Sequence, residues 1–204
     1  MGLKRSLLLP LLGLLIFLAW LVFYSNDRVT GSNNLHMATL AEMPVGGDFK
    51  VNSSDGELAL SDFKGNVVLL YFGYATCPDI CPASLSKISL ALQNLSQKER
   101  SHVKTLFISL DPEHDTVESL KDYAHYYHGS IIGAVASKPE LDKMAKQYGV
   151  TYGKVESDTA LGYRIDHTAY FYIIGSNGKL KSALPHGTTV SELSKLLQET
   201  LSGN

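Results

Sequence analysis

The stretch "YFGYATCPDICPASL", residues 71–85, contains both cysteines of a 204-residue chain, Cys77 and Cys81, each followed by proline. Their spacing is C-x-x-x-C, one residue longer than the C-x-x-C of common disulfide oxidoreductases. Thiolates bind soft metals and attack disulfides, so the pair points to metal binding, redox cycling or both. The extra residue lets two thiolates bend around one ion without a tight two-residue turn. A purely structural disulfide is the bland alternative. A bridge between cysteines this close closes too small a loop to restrict much of the unfolded chain.

The flanking elements decide how the sulfurs are presented. "NVVLLYFGY" is a continuous apolar run of the buried-strand type. After the cysteines, Leu85, Ile88, Leu92 and Leu95 recur at helical spacing. Proline suits a first helical position, so a helix starting near Pro82 puts Cys81 at the N-cap and Cys77 just before it. Unpaired N–H groups at that end favour thiolate over thiol. Upstream, "DFKVNSSDGELALSDFKG" reads as a hairpin turning at Asp55-Gly56. Downstream, "VKTLFISLD" is a second buried strand. "DTVESLKDYAHYYHG" is a helix capped near Asp115 or Thr116 and stopped at Gly129. "KPELDKMAKQYGV" is a helix with Pro139 in its first turn. "HTAYFYIIG" is a strand, Asn177-Gly178 a tight turn, "KLKSALP" the return strand, and "TVSELSKLLQETL" a closing amphipathic helix. The alternation predicts an α/β sheet with helices on both faces, and a cysteine motif between strand and helix makes it thioredoxin-like.

Two thiolates rarely complete a protein metal site, so a third ligand is sought among seven histidines. His36 and His102 fall in polar connections. His125 and His128 share a polar helix face, a weak second site at most. His114, in "DPEHDT", caps or bridges loops, and His186 follows the late hairpin strand. His167 stands apart at the entrance to "HTAYFYIIG". It is either a satisfied core residue or a ligand at a strand end, where α/β sites assemble.

Composition sets the setting. Lys4 and Arg5 precede an apolar run over residues 6–24. At about 1.5 Å per residue, such a helix nearly crosses a hydrocarbon core of about 30 Å. The run exceeds a signal peptide's usual h-region of about 7–15 residues, and no A-x-A cleavage site follows. We therefore expect a cytoplasmic stub and transmembrane anchor over 1–24, a polar tether over 25–47 and one domain over 48–204. Lys4 and Arg5 stay cytoplasmic. No long Arg- and Ser-rich presequence is present, so the expected place is a bacterial inner membrane with the domain in the periplasm. Without Lys4 and Arg5 the 18 basic residues fall to 16, against 20 acidic ones, a net charge of −4. No basic stripe with interleaved aromatics appears, which argues against nucleic acid.

Taken together, "YFGYATCPDICPASL", "FISLDPEHDT" and "GYRIDHTAYFYIIGSNGKL" resemble the Sco/SenC family of copper-binding cytochrome c oxidase assembly proteins, over residues 44–201. The resemblance implies a thioredoxin-like fold that binds one copper ion, Cu(I) or Cu(II), through Cys77, Cys81 and His167. Asp79 matches the family's acidic residue between the cysteines, and Asp111 and Pro112 its "DP". Two departures stand out: His114 where the family usually has arginine, and "IIGAVASKPE" where it often has "LTG". His114 would then bring a pH-dependent contact to the loops around the site. Three functions compete. One is a membrane-tethered copper chaperone for the binuclear copper centre (CuA), acting on the copper-bearing subunit II or another copper carrier. Another is a thiol–disulfide reductase, with Cys77 and Cys81 as its redox-active pair, acting on that acceptor's cysteines. The weakest is a general periplasmic oxidoreductase or peroxidase, which leaves His167 without a role.

Overall fold

The computed structural model describes Phe17, Trp20 and residues 44–203. Phe17 and Trp20 are helical, with rings stacked at 6.2 Å. They belong to a unit separate from Met43–Asn204. The rest of the expected anchor, and the tether up to residue 43, lie outside the described residues. Among the described residues no helix is long and apolar enough to cross a membrane.

In chain order the elements are β1 (Lys50–Ser53), β2 (Gly56–Ala59), β3 (Val67–Gly73), α1 (Ile80–Gln93), α2 (Gln97–Ser101), β4 (Val103–Ser109), α3 (Val117–Tyr127), β5 (Ile131–Val135), α4 (Lys138–Tyr148), β6 (Tyr152–Glu156), β7 (Tyr163–His167), β8 (Tyr170–Ile174), β9 (Leu180–Pro185) and α5 (Val190–Ser202). The main sheet has the order β2-β1-β5-β4-β3-β8-β9. β3, β4 and β5 are parallel, β8 runs antiparallel beside β3, and β9 runs antiparallel beside β8. This is the thioredoxin-like arrangement expected.

β3 is central and every residue of it is buried, because it is covered on both faces. Its side chains alternate. Tyr71 meets Phe107 and Phe171 on one face, and Phe107 in turn meets Tyr123 of α3. Phe72 meets Tyr148 of α4 and Tyr172 on the other. α1 buries Leu85, Ile88 and Leu92 toward the first face and packs on α5. Burying each such side chain stabilises the fold by about 1.5–3 kcal/mol, so the strand end carrying the cysteine loop is anchored in the core.

Local chemistry sets the boundaries. Thr116 caps α3 and Ser137 caps α4, each accepting from the backbone three residues on. Gly149 ends α4 in the left-handed conformation. The β1–β2 turn is shifted by one residue from expectation. Ser53 pairs with Gly56, so Ser54 and Asp55 form the two-residue loop. Gly46 donates to the Gln147 carbonyl at 2.9 Å, and the Gly47 carbonyl accepts from Tyr148 Oη at 2.9 Å, so the two glycines before residue 48 are bonded to α4.

The sequence reading did not anticipate the separate β6–β7 hairpin. Its strands pair antiparallel from Tyr152–His167 to Glu156–Tyr163 and form a two-stranded sheet of their own. His167 therefore ends β7 rather than opening the strand "HTAYFYIIG", which begins at Tyr170. Ile165 is the one buried residue in the two strands, so the apolar periodicity that marks strands is missing.

Candidate metal centre

β3 ends at Gly73 and β4 at Ser109, side by side, and both run into loops at the same end of the sheet. Gly73 permits the close approach of Cys81. A Cβ there would lie 2.7 Å from Cys81 Sγ and 2.7 Å from the Phe107 ring, nearer than real Cβ contacts allow. The Cys77 N–H then donates to the Tyr74 carbonyl at 3.3 Å, turning the loop back.

Cys81 is not the N-cap. α1 begins at Ile80 with Asp79 as its cap, so Cys81 is the second helical residue and Pro82 the third. Pro82 is tolerated because the first four helical N–H groups have no intrahelical partner. The first helical bond runs from the Ala83 N–H to the Asp79 carbonyl, 3.3 Å. The free N–H of Cys81 donates instead to Cys77 Sγ at 3.4 Å. Cys81 is fully buried, and Cys77 keeps 7% of its surface. Both are free thiols.

The β6–β7 hairpin delivers the third donor. Cys77, Cys81 and His167 present one atom each within 4.8 Å of one another, and Cys81 Sγ lies 3.8 Å from His167 Nε2. Thiolate and imidazole bonds of about 2.3 and 2.0 Å, opened to 120° around one ion, put the two donors about 3.7 Å apart. The spacing therefore fits a three-coordinate metal. His167 Nδ1 lies 3.1 Å from the Thr168 carbonyl, which only accepts. Nδ1 thus carries the proton, and the Nε2 lone pair faces the sulfurs. Tyr74 holds this arrangement twice. Its hydroxyl accepts from the Ile165 N–H at 3.1 Å, and its ring stands edge-on to the imidazole at 6.1 Å.

The two thiols are electrostatically unequal. The Cys81 thiol donates to Cys77 and holds it well below the ordinary thiol range, helped by the N–H groups of Asp79 and Cys81, against the opposing effect of burial. Cys81 is pushed up, first by donating to Cys77, then by burial and by the charge beside it. The two sulfurs therefore favour sharing one proton, with the negative charge on Cys77. The Tyr71 hydroxyl is buried beside Cys81; burial first and then the charge of the sulfurs raise it.

A second loop ties the site together. Ser109 Oγ donates to Asp115 at 2.6 Å, and Asp115 accepts from the Ala75 N–H at 3.2 Å, two residues before Cys77. Gly73, Tyr74 and Asp115 were missed from sequence; a glycine closing a buried strand just before the cysteines was the available signal for the first. Asp79 is exposed and makes no cap bond with its side chain. His114 is exposed, and its effect on the loops around the site is electrostatic: burial raises the neighbouring Asp115 carboxyl, and His114 lowers it by less. His128 is engaged by Ser130 and His186 by Ser84. Among the described residues no other group of three such side chains converges; His36 lies outside them.

The chain matches the SCO1/SenC family model over residues 37–202. It is 36% identical over 137 residues to a SCO2-like protein of Rickettsia conorii, a match covering 66% of each chain, so it spans just under two thirds of that relative. Among solved structures it resembles Bradyrhizobium japonicum ScoI with copper bound at 32% identity and TM-score 0.69, covering 77% of this chain and 99% of that one. It resembles yeast Sco1 with copper bound at 30% identity and TM-score 0.69, covering 78% and 90%.

Proposed function

The chain belongs to the SCO1/SenC family, and from that premise we propose that it is a membrane-tethered copper chaperone for assembly of the CuA centre of cytochrome c oxidase. The observation that supports this most directly is the convergence of two sulfurs and one imidazole within 4.8 Å. That donor set suits Cu(I) in a trigonal site, and Cu(II) when a water or a further weak ligand joins. Structural zinc prefers four closed ligands. The similar Bradyrhizobium and yeast proteins are described with copper bound.

In this reading one copper ion per chain is the cargo. Its arrival displaces the proton shared by the two sulfurs, and both become thiolates. Cys81, fully buried, is the inner anchor; Cys77 on its loop and His167 on its hairpin form the outer edge. An incoming thiolate of the acceptor, subunit II or another copper carrier, replaces the outer donors first. The apolar run over residues 6–24 anchors the domain to a bacterial inner membrane, with the domain in the periplasm. Tethering raises its effective concentration near a membrane acceptor.

The unequal thiols favour a second reading, a thiol–disulfide reductase for the acceptor's cysteines. Cys77 thiolate would attack the acceptor disulfide, forming a mixed disulfide and expelling one acceptor thiolate. Cys81 would then give up its proton and attack Cys77 Sγ, closing Cys77–Cys81 and releasing the second thiolate. Two electrons pass to the acceptor. Anaerobic copper titration of the reduced domain, beside His167→Ala, Cys77→Ser and Cys81→Ser, separates the readings. Loss of an outer-shell partner costs roughly 10–100-fold in metal affinity, so His167→Ala is expected to lose at least about 100-fold for Cu(II) while keeping the disulfide couple. The cysteine variants are expected to lose both properties. A His167→Ala chain that binds no copper yet still supports oxidase assembly would establish the reductase instead.

A further inference from the structure

The β6–β7 hairpin lies outside the main sheet and buries almost nothing, so the position of His167 depends on a few polar attachments. β7 alternates faces, which puts Tyr163, Ile165 and His167 on one side. Ile165 is buried and His167 points to the cysteines. At the far end, Tyr163 Oη donates to Asp111 Oδ2 at 2.6 Å. Asp111 follows β4, its side chain only 2% exposed. Among the described residues its other oxygen, Oδ1, has no hydrogen bond, and it faces Lys154 Nζ of β6 at 3.6 Å. Lys154 also pairs with Glu113 at 2.8 Å and lies 4.2 Å over the Tyr163 ring. Both strands of the hairpin thus converge on one buried carboxylate. The Asp111 N–H is itself held by Ser109 Oγ at 2.9 Å, the hydroxyl that fixes Asp115 against the cysteine loop.

We propose that Tyr163 and Lys154, clamped to the buried Asp111, are positioning residues that set where His167 stands relative to Cys77 and Cys81. This rests on the reading of those three residues as ligands. Tyr163 and His167 are four residues apart, about 13 Å along a strand at about 3.3 Å per residue. Fixing one end of so short a strand while Ile165 packs in its middle leaves the imidazole little freedom. Releasing the clamp lets the hairpin sway, which disturbs the nitrogen donor and leaves the sulfurs in place. Cu(II), which relies on the imidazole, is affected more than Cu(I), which two thiolates hold.

The test uses the full chain with Tyr163→Phe, Lys154→Met and, as a reference, His167→Ala. Tyr163→Phe removes one oxygen and keeps the ring. A hydrogen bond to a charged group is worth roughly a 10-fold effect or more, so Cu(II) release is expected to speed up about 10-fold, with Cu(I) affinity changed less than about threefold. The Cu(II) electron-paramagnetic-resonance spectrum should broaden or split into more than one species. In the metal-free chain, amide exchange at Ile165 and Lys154 should rise while exchange in β3 stays unchanged. Lys154→Met should act the same way, and the double variant should fall short of the summed effects because both residues hold one carboxylate. If His167→Ala loses Cu(II) but both clamp variants match the parent in spectrum, release and exchange, the clamp is wrong and the ligand set stands. If His167→Ala itself binds like the parent, the ligand set is wrong. Global unfolding of Tyr163→Phe with an unchanged Lys154→Met would also overturn the proposal, because Tyr163 would then be a fold residue.

Discussion

Cys77 and Cys81 differ by little in sequence and by much in environment. Cys77 accepts from the Cys81 thiol and from backbone N–H groups, whereas Cys81 is buried beside the charge it helps to create. A free thiol titrates near 8.5. With its folded value depressed, Cys77 is thiolate above that depressed value, and the charge is lost only as pH falls through it. The alkylation rate of the reduced chain at Cys77 should therefore be nearly flat from pH 8 down to about 6, where a free cysteine slows roughly 75-fold. The pH profile is the readout, since limited access lowers the whole curve equally. A profile that falls with a midpoint near 8.5 would show that Cys81 and the helix end do not stabilise the thiolate. The cysteine pair and its possible chemistry were legible at once from residue types and spacing. The inequality of the two was not, because it depends on one proton shared across a helix start that lies two residues earlier than Pro82 implied.

At the scale of elements, β3 positions the cysteines and the β6–β7 hairpin positions His167. The first was legible because a central strand covered on both faces reads as an unbroken apolar run. The second was hidden. Its strands leave Lys154, Glu156, Arg164 and Asp166 exposed on both faces, and Ile165 alone is buried, so no alternation marks them. The apolar "YFYII" that follows drew the strand boundary back to His167, when two residues, Thr168 and Ala169, separate the strands. Asp111 and Asp115 stood in a noticed motif, but their bonds to the segments that carry His167 and the cysteines depend on tertiary contacts. The tight join of β3 to α1 gives a direct test. Gly73→Ala places a methyl group against Cys81 Sγ and Phe107, and overpacking of this kind typically costs about 1–3 kcal/mol. Urea unfolding should show that loss, with copper affinity falling as Cys81 is pushed aside. An unchanged midpoint and affinity would mean that the strand end moves freely enough not to set the sulfur's place.

For the whole molecule, the proposed ligands all lie in the unit Met43–Asn204, and the proposed anchor lies outside it. Residues 44–47 should stay with the domain, because Gly46 and Gly47 are bonded to α4. Replacing residues 1–24 by a cleavable export signal should leave a chain that binds copper like the parent in solution and delivers it less well in cells. Effective concentrations near a tethered site reach roughly the millimolar range, so a deficit recoverable by overexpression is expected, scored as oxidase activity. Loss of copper binding in the shortened chain would place part of the site before residue 25. The central claim is the identity of the three donors, and copper X-ray absorption on the reduced parent loaded with one Cu(I) tests it most directly. The expected first shell is two sulfurs at about 2.3 Å and one nitrogen at about 2.0 Å, with the nitrogen lost in His167→Ala. A shell without both sulfurs, or one whose nitrogen persists when His167 is removed, would contradict the account.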